Sequence, residues 1–180
     1  MNLSIKSMRL LFIVLGVFLL SKNIMAQNLH EFSINDIDGN TINFDQFKGK
    51  AVLIVNTASR CGFTKQYANL SNLHREYLNK DLVIIGTPSN SFRQELSSDE
   101  DVKEFCLVNY NTKFIISEII SVKGAAVHPI YNWLSKTHRK TPKWNFYKYL
   151  FDGEGNFVES WPSLTEPDSK KITDQIDRLI

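Results

Sequence analysis

The 180-residue chain predicts a single α/β domain, a three-layer sandwich with a central mixed β-sheet flanked by helices and an N-terminal β-hairpin. Three observations predict it. Apolar runs of strand length alternate with stretches whose apolar residues recur every three to four positions. The first two long strands enclose one helix, which makes them a parallel pair joined by a right-handed crossover. Later, two apolar stretches flank Asp152-Gly153-Glu154-Gly155, a hairpin signature that adds antiparallel strands to the sheet.

In order along the chain, Phe32, Ile34 and Ile37 lead into Asp38-Gly39, and Ile42 and Phe44 follow. Aspartate-glycine is a type I′ turn signal, so the chain opens with a hairpin. Residues 51–56, Ala-Val-Leu-Ile-Val-Asn, form a buried central strand. Phe63, Tyr67, Leu70, Leu73 and Tyr77 then recur at helical spacing, in a pattern that starts near residues 62–64. Residues 82–86 give the next strand, and Thr87-Pro88-Ser89-Asn90 a loop. Ser98-Asp99-Glu100-Asp101 opens a helix whose acidic first turn suits its dipole; Val102, Phe105 and Asn109 share a face of it, and Cys106 lies on it. Residues 114–116 form a short strand. His128-Pro129 precedes a helix over residues 130–136, where proline suits the first turn. Residues 146–151 and 156–161 are the strands of the late hairpin. Pro167-Asp168-Ser169 introduces Ile172, Ile176 and Leu179, a stripe that packs a last helix on one sheet face. This succession is that of the thioredoxin type.

Residues 1–26 read as an export signal: Lys6 and Arg9 precede an apolar run from Leu10 to Leu20, and Ala26 follows a polar stretch. The run is too short to span a bilayer, which takes roughly 20 residues. Cleavage after Ala26 is expected, with an uncleaved anchor as the alternative. The domain is then residues 27–180, exported to a periplasmic or extracellular location and without stable membrane association. Lys6, Arg9 and Lys22 leave with the segment, so 18 of the 21 basic residues remain against 19 acidic ones. Lys48, Lys80 and Lys103 are interspersed with Asp45, Asp81 and Glu104, which excludes a basic nucleic-acid face.

Cys61 carries the chemistry. It follows the central strand and precedes a helical pattern, where open α/β sheets place their ligands and a helix N-terminus favours negative charge. Such a thiol is biased towards thiolate, the nucleophilic form. The dipole contributes only about 0.3 to 1 kcal/mol, so neighbours such as Arg60 and Lys65 must assist. Cys106 is the only other cysteine, and in an exported protein the two could instead form a structural disulfide. Trp144 and Asn145 offer neutral N–H donors able to hold a thiolate. His30, His74, His128 and His138 have no metal-ligand spacing, no C-x-x-C is present, and the glycines near Asp152 are turn glycines, so neither metal nor cofactor is expected.

Asn56-Thr57-Ala58-Ser59-Arg60-Cys61-Gly62-Phe63-Thr64-Lys65-Gln66-Tyr67, Glu104-Phe105-Cys106 with Asn109-Tyr110, His128-Pro129 and Lys143-Trp144-Asn145-Phe146 resemble, in order and spacing, the glutathione peroxidase family. The chain is most similar to the branch with cysteine in place of selenocysteine. The resemblance implies a catalytic tetrad of Cys61, Gln94, Trp144 and Asn145, with Cys106 as resolving cysteine. One segment departs from the pattern: Thr87-Pro88-Ser89-Asn90-Ser91-Phe92-Arg93-Gln94-Glu95-Leu96 is one residue shorter and lacks both usual glycines, which puts the placement of Gln94 in question. Ser89 stands where many members have a third cysteine.

The implied activity is a thiol peroxidase acting on hydrogen peroxide and organic hydroperoxides. Cys61 would become a sulfenic acid, Cys106 would condense with it, and a thioredoxin-like protein or glutathione would reset the pair, the former favoured because the oxidised product is a protein disulfide. The short connection from Lys136 to Lys143 resembles members without a long assembly loop, which implies a monomer or weak dimer. A redox sensor that relays oxidation to a partner protein would use the same cysteines. A non-catalytic module with a structural disulfide is the third reading. Turnover with a generic thioredoxin system separates the first from the second, and thiol titration separates it from the third.

Overall fold

The computed structural model describes residues 27–180; the expected export signal lies outside the described residues. Strands β1 (Ser33–Asn35) and β2 (Thr41–Asn43) pair antiparallel in a two-stranded sheet of their own. Their link is longer than the expected two-residue turn. Asp36 Oδ1 accepts the N–H groups of Asp38 at 2.9 Å and Asn40 at 2.8 Å, so an aspartate side chain closes the turn and Gly39 supplies its positive φ of 83°.

The main sheet has five strands in the order β5-β4-β3-β6-β7. Here β3 is Ala51–Thr57, β4 Leu82–Pro88, β5 Ile115–Ile116, β6 Lys148–Phe151 and β7 Phe157–Trp161. β4 runs parallel to β3 and β5 parallel to β4, while β6 and β7 form the antiparallel hairpin expected late in the chain. Every residue of β3 is buried, as an uninterrupted apolar strand between two covering layers requires.

Four helices and the hairpin supply those layers: α1 (Gln66–Glu76), α2 (Asp99–Tyr110), α3 (Pro129–His138) and α4 (Lys170–Ile176). Leu53 and Val55 face one core, with Tyr67, Leu70 and Leu73 of α1, Val102 and Cys106 of α2, and Ile172 and Ile176 of α4. Val52 and Ile54 face the other, with Ile130, Tyr131, Trp133 and Leu134 of α3 and with Leu29, Ile34 and Phe44 from the hairpin side. Alternation along β3 therefore divides the molecule into two cores, each buried side chain contributing about 1.5–3 kcal/mol.

Two helix details differ from the sequence reading. α1 starts at Gln66, two to four residues later than the apolar pattern suggests, because residues 61–65 turn through i to i+3 hydrogen bonds such as Thr64 N–H to Cys61 O at 3.0 Å. On α2 the buried face is Val102 and Cys106, and Asn109 is exposed, its amide donating to Phe105 O at 2.9 Å. The caps follow expectation: Ser98 Oγ accepts the Asp101 N–H at 3.2 Å, and His128 caps α3 directly before Pro129. No described helix is long and apolar enough to cross a membrane.

Candidate active site

Cys61 sits just past the C-terminal end of β3, 9% exposed, in a loop held from three sides. Thr64 Oγ1 accepts the Cys61 N–H at 2.9 Å and can give its own proton to Cys61 O at 2.7 Å or Ala58 O at 2.8 Å. Threonine side-chain bonds of this kind compete with helical ones, which is why the chain turns before α1 begins. The Phe63 N–H points back at Cys61 Sγ from 3.5 Å. A turn amide, rather than one in the first turn of a helix, therefore donates to the sulfur.

A second segment reaches the same loop. Gln94 O accepts the Arg60 N–H at 2.9 Å, and the buried Glu95 carboxylate accepts the Ser59 N–H at 3.0 Å and the Leu96 N–H at 2.8 Å through one oxygen. Gln94 also meets the third segment, since the Asn145 amide donates to Gln94 Oε1 at 3.0 Å. Trp144 is 41% exposed and packs on Phe92, with ring centroids 5.3 Å apart. Cys61, Gln94, Trp144 and Asn145 thus lie on loops tied to one another. Among the described residues, however, neither the Trp144 indole nor the Asn145 amide hydrogen-bonds the sulfur; the expected direct donors to Cys61 Sγ are replaced by the Phe63 N–H.

The Trp144-Asn145 segment is fixed from below. Asn56, buried in β3, donates through Nδ2 to Trp144 O and accepts the Tyr147 N–H, both at 3.0 Å. Phe146 takes a φ of 62°, uncommon for a bulky residue, and its N–H bonds Asn56 O. Under Asn145 runs a buried polar chain. Lys148 Nζ donates to Gln66 Oε1 at 2.6 Å and Ser163 O at 3.4 Å, Gln66 Nε2 donates to Ser163 O at 2.7 Å, and Ser163 Oγ donates to Asn145 O at 2.6 Å. Burial lowers the Lys148 pKa to about 7, with nearby Glu166 opposing the shift.

Residues 29–135 match the family model described as glutathione peroxidase. The chain belongs to the glutathione peroxidase family. It is 43% identical over 151 residues to glutathione peroxidase-like peroxiredoxin 2 of Saccharomyces cerevisiae, covering 81% of this chain and 93% of that one. The crystal structure described as Trgpx in apo form has a TM-score of 0.68 and 34% identity, covering 86% of this chain and 95% of that one. A putative thioredoxin from Neisseria meningitidis, at a TM-score of 0.59 and 18% identity over 82% of this chain, shares the fold alone. The thioredoxin-like architecture expected from the element order is the one observed.

Within this glutathione peroxidase domain, Arg93 explains how the shortened loop manages without its glycines. Its φ of 59° is the left-handed conformation that glycine adopts freely, and it delivers Gln94 to Asn145. A non-glycine residue there carries strain on the order of 1–3 kcal/mol. Arg93→Gly is therefore expected to stabilise the domain by about 1 kcal/mol, after glycine's greater unfolded-state freedom is offset, measured as a higher midpoint in urea. Unchanged or lower stability would show that the loop carries no strain.

Several positioning residues escaped the sequence reading. An asparagine ending an apolar strand was a visible signal for Asn56, and a lysine among the aromatics of β6 was one for Lys148. Glu95 and Ser163 gave none, because their burial comes from loops whose paths the sequence leaves open. Among the described residues no group of three or more His, Cys, Asp or Glu side chains gathers into a metal-binding cluster.

Proposed function

We propose that the protein is a thiol peroxidase that reduces hydrogen peroxide and organic hydroperoxides, with Cys61 as the peroxidatic nucleophile and Cys106 as the resolving cysteine. The observation that carries this reading is the convergence of the Cys61, Gln94 and Asn145 loops through Arg60 N–H to Gln94 O and Asn145 Nδ2 to Gln94 Oε1. The kinship with a yeast protein named as a glutathione peroxidase-like peroxiredoxin supports it.

In the first step the Cys61 thiolate attacks one peroxide oxygen. The S–O bond forms, the O–O bond breaks, and water or an alcohol leaves, with Cys61 as sulfenic acid. In this reading the Trp144 indole and the Asn145 amide serve as donors to the departing oxygen, an interaction worth about 2.7–4 kcal/mol per well-aimed donor. Cys106 waits protonated: burial pushes its thiol up to about 11, so it does not compete for peroxide at neutral pH. Both sulfurs are free thiols in the structure, Cys106 within α2 and 2% exposed. Because Cys106 is buried within α2, closure of the pair in this reading has part of α2 loosen.

Because the oxidised product is then a protein disulfide, the reductant is a thioredoxin-like protein rather than glutathione. An export signal over residues 1–26, a periplasmic or extracellular location and a monomer or weak dimer complete the reading. The test is coupled NADPH consumption with a thioredoxin system and, separately, with a glutathione system. The wild-type protein turns over with thioredoxin, and Cys106→Ser loses at least tenfold of that rate while still consuming one equivalent of hydroperoxide. Equal thioredoxin-driven turnover by Cys106→Ser would overturn the resolving role, and faster turnover with glutathione would overturn the choice of reductant.

A further inference from the structure

Gln66 joins the two halves of the site described above. It is the first residue of α1 and fully buried. Its main-chain N–H bonds Phe63 O at 2.9 Å, and the Phe63 N–H in turn points at the Cys61 sulfur. Its side chain reaches the other way: Nε2 donates to Ser163 O at 2.7 Å, and Ser163 Oγ donates to Asn145 O at 2.6 Å. One residue therefore touches the turn that carries the thiol and, through Ser163, the loop that carries Asn145.

A buried glutamine is costly unless both ends of its amide find partners, and here only one orientation provides them. Lys148 Nζ, 2.6 Å from Gln66 Oε1, has as an ammonium only protons to give, while the Ser163 carbonyl can only accept. Turning the amide over would set an NH2 group against an ammonium and one oxygen against another. The bonds therefore run one way, from Lys148 through Gln66 to Ser163, whose hydroxyl holds Asn145 O. Asn145 is also held at its side chain, where Nδ2 donates to Gln94 Oε1 at 3.0 Å. The peptide that follows is held from its other side, since the Phe146 N–H bonds Asn56 O, and Phe146 keeps its positive φ of 62°. Gln66, Lys148 and Asn145 are fully buried, so water does not compete for these bonds.

We infer that Gln66 is a positioning residue for peroxide reduction, whose side-chain amide, locked in one orientation by Lys148, fixes Asn145 relative to the Cys61 turn. This rests on the reading of Cys61 as the nucleophile that attacks peroxide and of Asn145 as a donor to the departing oxygen. Gln66 makes no hydrogen bond to the sulfur, so it acts on the reaction through where Asn145 sits. Such placement matters, because a donor shifted by about 1 Å can cost a rate factor of about a hundred. The dependence is also selective. Oxidation of Cys61 by hydrogen peroxide expels an oxygen that needs a donor, whereas alkylation of the same sulfur by iodoacetamide expels iodide and needs none.

The two rates, each followed at the Cys61 peptide by mass spectrometry of rapidly quenched full-length protein, test this. Measurement at about pH 6 keeps Lys148 charged. In Gln66→Glu the side chain keeps its shape and still accepts from Lys148, but its second oxygen faces the Ser163 carbonyl with no proton to give. Ser163→Ala removes only the hydroxyl that reaches Asn145. The oxidation rate divided by the alkylation rate is expected to fall about fivefold or more in each variant. The double variant is expected within about twofold of the worse single one, because both cut the same chain. An unchanged ratio in Gln66→Glu would overturn the inference. So would an equal fall in both rates, the mark of a loosened loop rather than a misplaced donor, or losses that multiply in the double variant. Should Gln66→Glu not fold, Ser163→Ala decides, and an unchanged ratio there would show that the chain does not position Asn145. Normal wild-type oxidation with unaffected variants refutes Gln66 and spares the peroxidase. If wild-type Cys61 is alkylated but not oxidised by peroxide, both fall.

Discussion

Cys61→Ser is expected to abolish hydroperoxide turnover while leaving the fold intact. The loss is expected to be several orders of magnitude, as for deletion of a nucleophile, because a serine hydroxyl does not ionise near neutral pH and cannot attack the O–O bond. The structural effect is small for a stated reason. The sulfur accepts one long hydrogen bond from the Phe63 N–H at 3.5 Å, and the loop around it is held by backbone groups, Thr64 and Glu95. Thermal unfolding of the variant is therefore expected within about 0.5 kcal/mol of wild type, the usual range for a substitution that removes no packing. A variant that kept the wild-type rate would displace Cys61 from the chemistry, whereas one that lost activity by unfolding would leave the melting curve to say so.

Lys148→Met changes how stability depends on pH. Lys148 is fully buried, bound to the neutral oxygens of Gln66 and Ser163, and its pKa falls from 10.5 in the unfolded chain to about 7 in the folded one. Below pH 7 the amine is charged in both states, and the folded state bears the whole cost of burying that charge, a few kcal/mol. Between about 7 and 10.5 the unfolded chain binds the proton and the folded one does not, so stability rises with pH by about 1.4 kcal/mol per unit. Above that window the penalty is gone. Methionine removes the titration and fills a similar volume, while leaving Gln66 Oε1 without its partner at a cost of about 1–3 kcal/mol. Urea unfolding at steps from pH 6 to 10 checks the sign: the wild-type minus Lys148→Met difference climbs across the window. A flat difference would show that Lys148 is not a buried cation. Because the same chain of bonds ends on Asn145 O, the variant is also expected to slow the first oxidation of Cys61.

What could be read in the sequence, and what could not, divides along physical lines. β3 and β4 were legible because an apolar run buried on both faces has one use in an α/β domain. The late hairpin was legible because glycine at Gly155, with φ 80°, marks a turn other residues avoid. The start of α1 was misplaced because the apolar spacing continues through residues 61–65 while the Thr64 hydroxyl closes the local backbone into turns. Cys61, Trp144 and Asn145 stood out by residue type and position, Gln94 came from the resemblance alone, and the bond from the Asn145 amide to Gln94 emerged only with the loops in place. Gln94 shows the difference: its segment lacks the usual glycines, and only the left-handed backbone at Arg93 reveals that the side chain still reaches Asn145. The buried polar groups beneath the site were the least legible. Glu95, Ser163 and Lys148 belong to residue types that are normally exposed, and only tertiary packing shows them buried and bonded.

The central claim is that oxidation enters at Cys61 and is passed to Cys106. Mass spectrometry of the protein before and after one equivalent of hydroperoxide, with peptide mapping, tests it most directly. The account predicts a mass lower by two hydrogens and a single cross-linked peptide pair joining residues 61 and 106. A lasting sulfenic or sulfinic acid at Cys61 with Cys106 still a free thiol, or oxygen found first on Cys106, would contradict it.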